Sequence, residues 1–253
     1  MLRFSAVAGE FYPENKKELE RVIDGFLAKV KLPKIKGDIF GLLLPHASYS
    51  FSGQVAAYGF KAIIGKSLDT VIILGDSHYE RFDGVAVWPE GEWETPLGKI
   101  EVDDELARTV LANSEKRFFR RDSAHLWEHS IEVQLPFLQR TLKNFKILPI
   151  VFGSENKDWR LLAKVIAKKT ENKRVLVIAS ADLSHYLPRQ KAKKTDNETI
   201  QNILNLKTDN LDICAIDSAR TIIQITKLLG GKAKLLSYAN SAVGYGAFVF
   251  YKE

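Results

Sequence analysis

The chain has 253 residues, and its 37 basic and 31 acidic side chains give a formal net charge of +6. With 45% hydrophobic and 27% charged residues, the composition is that of a globular protein and excludes the disordered, collagen-like and disulfide-rich classes. The longest apolar stretches are only as long as a strand, so no membrane span is predicted.

The single cysteine and the distribution of the lysines indicate which cellular compartment and which kinds of partner to expect. The chain has one cysteine, Cys214, which cannot form an internal disulfide and therefore favours a reducing compartment. The segment from Met1 to Pro13 lacks the apolar core of a secretory signal, so a cytoplasmic location is expected. The sequence pI is near 9.2, but the lysines stand in small groups interleaved with acids, which argues against nucleic acid as a partner.

Alternating strand-like and helix-like segments predict an α/β fold with a largely parallel sheet. The first helix is predicted over Glu18–Val30, where apolar residues form one stripe. Apolar runs without alternation predict central strands at Ile39–Leu44, Val71–Leu74, Val85–Trp88, Ile147–Phe152 and Val175–Ala179. Further helices are predicted at Gln54–Ile64, Asp104–Ala112, Ser130–Leu142, Trp159–Lys168, Asp196–Leu204 and Ser218–Leu229. Two last strands, Lys234–Tyr238 and Gly246–Tyr251, are predicted as antiparallel partners at the sheet edge, and one domain is expected over residues 1–253.

Three of the five histidines follow predicted strands. His46, His78 and His185 stand two to six residues beyond an apolar strand, in loops rich in Gly, Ser and Asp. Ligands bind where the carboxyl ends of parallel strands share an edge, so these side chains are predicted to converge on one cleft if the three strands are parallel. Because imidazole is both a common metal ligand and a general base, this convergence indicates a metal site, a catalytic base, or both. A single histidine in such a position is better explained as a residue that caps a strand end or hydrogen-bonds a loop carbonyl, and only the three together favour a functional site.

The other two histidines lie close together in sequence. His125 and His129, with Glu128 between them, match the pattern H-x-x-E-H of some zinc peptidases, and on one helix they would share a face. The alternative is a helix that starts only near Glu128, with Glu128 and Glu132 favouring its N-terminal dipole. A zinc peptidase therefore remains one possible function at this point.

Cys214 is a further candidate ligand. Its apolar neighbours suit a small buried side chain, and only proximity to His46 and His78 would make it a ligand. A thiolate with two imidazoles would suit iron, copper or zinc rather than magnesium or calcium.

Seven blocks of sequence together resemble one protein family. They lie at Ala8–Pro13, Pro45–Tyr49, Gly75–His78, Thr95–Gly98, Glu128–Glu132, Asp182–Tyr186 and Val243–Tyr245. In this order they resemble the Memo family, and the likeness covers almost the whole chain. Where the family has glycine this chain has Ser48 and Ala215, and Asp76 stands in place of proline. Losing a glycine matters where φ is positive or where backbone must approach a ligand.

The resemblance implies a fold, a metal and partners. The fold would be an α/β/α sandwich similar to the class III extradiol dioxygenases, with a mixed, largely parallel central sheet. The implied ligands are His46, His78 and Cys214, with iron as the expected ion and copper or zinc as alternatives. Vertebrate relatives are linked to receptor-driven motility and phosphotyrosine peptides, and microbial relatives to a system with a radical enzyme and an AMMECR-type protein. The expected partner is therefore a small molecule or a peptide.

The resemblance also places Asp182, His185 and His129 in the same cleft. Our hypothesis is that His185 acts as base or proton shuttle while Asp182 holds its tautomer. His129, with Glu132 behind it, would line the pocket and hydrogen-bond a substrate or oxygen. The expected chemistry is oxidation or oxygen handling by a non-haem metal enzyme.

Two further residues are expected at the substrate pocket. Tyr49 would contribute to an aromatic wall, and Asp76 would orient an imidazole or add an oxygen ligand. The competing hypothesis is an adaptor that uses the same cleft to bind a peptide or small ligand without turnover. A cleft of dioxygenase shape can be retained in a protein that has lost the reaction. Trp88, Trp93 and Trp127 are candidate walls for that adaptor, although each is as compatible with a place in the core.

Overall fold

The computed structural model describes residues 1–114, 116–153, 158–170 and 174–253. Its strands are β1 (Leu2–Arg3), β2 (Asp38–Leu44), β3 (Thr70–Asp76), β4 (Val85–Val87), β5 (Glu92–Thr95), β6 (Gly98–Glu101), β7 (Phe118–Arg120), β8 (Lys146–Phe152), β9 (Val175–Ser180), β10 (Lys232–Asn240) and β11 (Gly244–Lys252). Eight of these strands form a mixed sheet in the order β10-β11-β2-β9-β3-β8-β4-β7. The other three form a small sheet in the order β1-β5-β6.

Helices cover both faces of the large sheet. They are α1 (Lys16–Lys29), α2 (Tyr49–Lys61), α3 (Asp104–Ala112), α4 (Ser123–Leu126), α5 (His129–Glu132), α6 (Leu135–Thr141), α7 (Trp159–Thr170), α8 (Arg189–Leu204) and α9 (Ile216–Leu228). Buried residues of α1, α2 and α6 belong to one hydrophobic core, and those of α3, α7, α8 and α9 belong to the other. This arrangement confirms the predicted α/β/α sandwich.

The central strands are apolar in their middle positions because each strand packs into two cores, one on each face of the sheet. In β2, Leu42 and Leu44 pack into the first core while Leu43, between them, packs into the second. Side chains of a strand alternate between the two faces of its sheet, so a strand covered on both faces needs apolar residues at every position. The same alternation holds in β3, where Val71 and Ile73 enter the first core and Ile72 the second.

The strands that precede three of the histidines run in one direction. β2 pairs in parallel with β9, β9 with β3, and β3 with β8. Their carboxyl ends therefore meet at the same edge of the sheet, which confirms the assumption behind the predicted cleft. At the end of β3, a Cβ on Gly75 would lie 2.3 Å from Oγ of Ser130, so a glycine is needed there for α5 to approach the strand.

Several elements differ from the sequence-based expectation. The predicted central strand Val85–Trp88 is β4, which is antiparallel to β8 and lies one strand from the sheet edge. The predicted helix Ser130–Leu142 is broken into α5 and α6, and Pro136 lies in the first turn of α6, where its missing N–H has no helical partner to lose. The two C-terminal strands are antiparallel at the edge as predicted. Within the described ranges, no helix has the length and apolarity needed to cross a membrane.

Candidate metal centre

A cleft of about 520 Å³ opens at the carboxyl edge of the parallel strands. Five of the predicted site residues line it, and they are His46, His78, His129, Asp182 and His185. The imidazole rings of the first three are neighbours: the ring centroids lie 5.2 Å apart for His46 and His78, 5.3 Å for His46 and His129, and 4.4 Å for His78 and His129. The structure thus brings the strand-end histidines together, with His129 added from α5.

His46 is almost fully buried at the bottom of the cleft. Its Nδ1 lies 3.2 Å from the Ser180 hydroxyl, and its Nε2 lies 3.3 Å from Sγ of Cys214. Burial, together with the neighbouring charge of His78, lowers the pKa of His46 to about 3, so the ring is neutral at pH 7. A neutral imidazole is the form that binds a metal.

His78 is held by the carboxylate of Glu128. The backbone N–H of His78 donates to Oε2 at 2.7 Å, and Nδ1 lies 2.9 Å from Oε1. Burial opposes ionisation of Glu128, but hydrogen bonding and charge from His78 outweigh it and lower the pKa of the carboxyl to about 2. An ionised carboxylate only accepts, so the hydrogen-bond network assigns the proton to Nδ1 of His78 and leaves Nε2 for a ligand.

Cys214 reaches the same point from the loop before α9. Its backbone N–H donates to the Asp182 carbonyl at 3.0 Å, and the Asp182 N–H faces its sulfur at 3.1 Å. One donor atom from each of His46, His78 and Cys214 lies within 4.8 Å of the other two. Ala215, which stands where the family has glycine, has φ of −92°, so this position does not require a glycine.

A second group of donor atoms shares His78. Atoms of His78, Glu128 and His129 also lie within 4.8 Å of one another, and Nδ1 of His129 is 3.5 Å from Oε1 of Glu128. However, Oε1 already accepts from the Ser130 N–H at 2.8 Å as well as facing Nδ1 of His78. Together with the His78 N–H at Oε2, these contacts occupy three acceptor sites of the carboxylate, so Glu128 acts in this structure as a support for His78.

Asp182 and His185 lie in the cleft but do not form the pair that was expected. Oδ1 of Asp182 accepts the backbone N–H of His46 at 2.9 Å, so the carboxylate fixes the end of β2 instead of the His185 ring. Burial raises the pKa of Asp182 to about 6. The His185 ring is exposed at the mouth, against Tyr186 at a centroid distance of 5.9 Å.

The three residues expected at the substrate pocket lie elsewhere. The Tyr49 hydroxyl is buried and donates to the Val133 carbonyl at 2.8 Å. Glu132 is fully buried and ion-paired with Arg3, so it supports the N-terminal segment; its charge acts on His129, but it does not line the cleft itself. Asp76 accepts a hydrogen bond from the Ser218 hydroxyl at 3.1 Å, and burial and the charge of Asp217 raise its pKa. Its expected role as orienter or oxygen ligand has no support in these contacts.

The predicted pairing of His125 with His129 is wrong. Helix α4 ends at Leu126 and α5 begins at His129, so the two histidines do not share a helix face. His125 is fully buried between Trp88 and Trp93, with ring centroids 5.7 and 6.0 Å away, which also assigns these two tryptophans to the core. The alternative helix start is confirmed instead, because Glu128 caps α5 by accepting the Ser130 N–H. The zinc peptidase hypothesis loses its basis.

His125 predicts a specific pH dependence of stability. Burial, and then the charge of Arg3, lowers the pKa of His125 to about 3 from 6.5. The unfolded state therefore binds a proton that the folded state excludes, and stability falls as the pH drops below 6.5 toward 3. For metal-free His125→Phe we expect that fall to be shallower than in the wild type by about 1.4 kcal/mol per pH unit. Chemical denaturation between pH 7 and 4 measures the slopes, and equal slopes would contradict the assignment.

Several residues around the histidines were not predicted from the sequence. Glu128 was interpreted as part of the H-x-x-E-H pattern or as a helix-start acid, and not as the partner of His78. Ser180, the last residue of β9, and Gln134, between α5 and α6, gave no signal of their own. Both are buried beside His46, where Nε2 of Gln134 donates to the Ser180 hydroxyl at 2.8 Å. The exposed aromatic residues Phe51 and Tyr186 at the cleft mouth were also not anticipated.

Together, the fold and the site define an α/β protein with a histidine-lined cleft at the carboxyl edge of its parallel strands and a cysteine sulfur beside one of those histidines. Residues 3–247 match the family model described as Memo-like protein. A MEMO1 family protein of Desulfurococcus amylolyticus is 42% identical, over 98% of this chain and 99% of the relative. MEMO1 family proteins of Sulfurisphaera tokodaii and Nitrosopumilus maritimus are 35% and 34% identical, over 95% and 99% of this chain and 93% and 100% of theirs. The chain belongs to the Memo family.

Proposed function

We propose that this protein binds one redox-active metal ion through His46, His78 and Cys214 and uses it to oxidise a small molecule or to handle oxygen in the cleft. Iron is the proposed ion and copper is the redox-active alternative; zinc would suit the same donor atoms but could not carry out the oxidation. The single observation that carries the proposal is the convergence of three donor atoms, from three separate segments, within 4.8 Å of one another.

The donor set fits such an ion. Two imidazoles and a thiolate are ligands of iron, copper and zinc, whereas magnesium and calcium prefer oxygen. The Nδ1 atom of each histidine faces an oxygen, from Ser180 for His46 and from Glu128 for His78, which leaves both Nε2 atoms for the ion. Metal-binding histidines typically have such a partner on the other ring nitrogen, and the partner fixes the tautomer and the ring orientation.

The other cleft residues suit work on a bound substrate. His129 is mostly buried, and burial together with His46 lowers its pKa to about 3, so a neutral ring is available for hydrogen bonding. His185 is exposed at the mouth, where we propose that it takes up or releases a proton. When bound, iron would supply the one-electron and oxygen chemistry that no side chain of the cleft provides.

The adaptor alternative is favoured by one specific observation. Phe51 and Tyr186 come from distant parts of the sequence, both line the cleft, and they are 66% and 81% exposed. Exposed aromatic side chains at a cleft are typical of surfaces that bind a peptide or ligand. An adaptor would use these rings without turnover, so activity is what separates the two functions.

Metal content after anaerobic purification tests the proposal. We expect close to one ion per chain in the wild type and almost none in His46→Ala or His78→Ala, because each variant removes one of three ligands. Lys191→Ala is the control, since Lys191 is an exposed residue of α8 away from the cleft, and it should retain the ion. Absence of metal from the wild type after iron loading would refute the metal function. Metal retention without oxygen uptake on any of several diols would favour the adaptor.

A further inference from the structure

Two buried polar residues lie beside His46, and their hydrogen bonds assign the position of each polar hydrogen in the group. Gln134 and Ser180 are both almost fully buried, next to His46 and away from solvent. Nε2 of Gln134 donates to the Pro45 carbonyl at 3.0 Å and to the Ser180 hydroxyl at 2.8 Å. A carbonyl oxygen only accepts, so the amide nitrogen must face Pro45, and its second hydrogen then points to Ser180.

The hydroxyl hydrogen of Ser180 is also committed. Oγ of Ser180 lies 2.5 Å from the Ser130 carbonyl, which can only accept. The hydroxyl therefore donates to Ser130 and accepts from Gln134, and one lone pair remains. That lone pair faces Nδ1 of His46 at 3.2 Å. Two acceptors cannot form a hydrogen bond with each other, so the hydrogen of this contact must come from the ring.

We propose that Gln134 and Ser180 are positioning residues that hold the proton of His46 on Nδ1 and so keep Nε2 available as a metal ligand. The inference rests on the proposed function. The hydrogen on Nδ1 is required in the neutral and in the charged ring, and in the neutral ring it leaves the lone pair of Nε2 free for the ion. Nε2 is the atom 3.3 Å from Sγ of Cys214, on the side where the other donor atoms converge. The series of hydrogen bonds from the Pro45 carbonyl through Gln134 and Ser180 to His46 thereby fixes the tautomer of the ring in the metal-free protein.

The tautomer itself is measured by ¹⁵N NMR on metal-free protein labelled at histidine. Two-bond couplings between ring protons and ring nitrogens identify which nitrogen carries hydrogen, and the signals missing from His46→Ala assign that residue. We expect the wild type to show hydrogen on Nδ1 of His46. Hydrogen on Nε2 alone would overturn the inference, even if the protein binds metal normally.

Variants test the consequence for metal binding. Ser180→Ala removes the hydroxyl acceptor of Nδ1–H and leaves only the Ser180 backbone carbonyl beside the His46 ring, so we expect a partial shift of His46 toward the Nε2–H tautomer and Co²⁺ affinity about 10–100-fold weaker, as for other outer partners of metal ligands. Gln134→Met removes the donated hydrogen without adding a competing acceptor, so the Ser180 hydroxyl is free to turn its hydrogen toward Nδ1, and we expect the same direction of change. Anaerobic Co²⁺ titration followed by visible absorption measures the affinity.

Ser184→Ala is the matched control. Ser184 is a buried serine of a neighbouring loop whose hydroxyl has no hydrogen-bond partner among the described residues. We expect this variant to keep both the tautomer and the Co²⁺ affinity of the wild type. Unchanged tautomer and affinity in Ser180→Ala, or an equal loss in Ser184→Ala, would overturn the inference. If the wild type shows the Nδ1–H tautomer but binds no Co²⁺, the proposed metal function fails while the assigned proton position stands.

Discussion

Replacing Arg3 by methionine is expected to lower the free energy of unfolding by about 3–5 kcal/mol, because it leaves the carboxylate of Glu132 buried without its countercharge. Arg3 and Glu132 are both fully buried and form an ion pair through Nη1. Methionine retains much of the side-chain volume, so the loss reflects the charge and the hydrogen bonds rather than a large cavity. Chemical denaturation of the metal-free protein at pH 7 measures it.

The hydrogen bonds of Arg3 connect this loss to the candidate metal site. Nε donates to the His125 carbonyl at 3.1 Å, and Nη2 donates to the Glu128 carbonyl at 2.9 Å. Glu128 supports His78, so the arginine fixes the backbone of the segment on which that support depends. Metal affinity should therefore fall together with stability in Arg3→Met.

An exposed arginine provides the comparison. Arg140 makes two hydrogen bonds to Oδ1 and one to Oδ2 of Asp24 on the protein surface. Because solvent screens such pairs, we expect Arg140→Met to lower the free energy of unfolding by no more than about 1 kcal/mol. If the free energy of unfolding falls equally in the two variants, or does not fall in Arg3→Met, then the buried ion pair of Arg3 and Glu132 does not stabilise the fold as predicted.

The sheet and the histidine cleft were predictable from the sequence because both follow from local rules. A strand buried on both faces is apolar at every position, and this signal located β2, β3, β8 and β9. Parallel strands place their carboxyl ends at one edge, so residues a few positions beyond each end must be neighbours. The convergence of His46 and His78 required no knowledge of side-chain contacts.

The support around those histidines was not predictable, because it depends on contacts between distant segments. Arg3 pairs with Glu132 across 129 positions, and His78 meets Glu128 across 50. Neither acid differs locally from a solvated helix-start residue, and only the folded structure shows that both are buried. For this reason Glu132 was expected at the substrate pocket, whereas it holds the N-terminal segment.

The segment around His125 shows why a short pattern was ambiguous. The spacing of His125 and His129 fits one helical face, but the helix is interrupted at Trp127 and Glu128. The break turns the His125 ring into the core, where it packs on Trp88, and leaves His129 in the cleft. A five-residue pattern contains no information about such an interruption, because the competing packing partner is almost 40 residues away in sequence.

Replacing Cys214 by serine is expected to weaken Co²⁺ binding by more than about 100-fold. This exceeds the usual effect of losing a residue that only hydrogen-bonds a metal ligand. Burial, with the charge of Asp182, raises the pKa of the Cys214 thiol, so the metal-free protein holds the proton on sulfur at pH 7. A metal binds the thiolate and must displace that proton. Because the serine variant has no thiol proton to displace, wild-type binding should release about one proton more than binding by Cys214→Ser at the same pH.

Calorimetry in two buffers of different ionisation enthalpy measures the proton release, and the sulfur-to-metal absorption band of the Co²⁺ protein reports the bond itself. Ala215→Gly is the control: it keeps the thiol and restores the glycine found elsewhere in the family, at a position whose φ of −92° suits either residue. We expect this variant to bind Co²⁺ as the wild type does. Equal affinity, proton release and absorption in Cys214→Ser would show that the two histidines hold the ion without the sulfur.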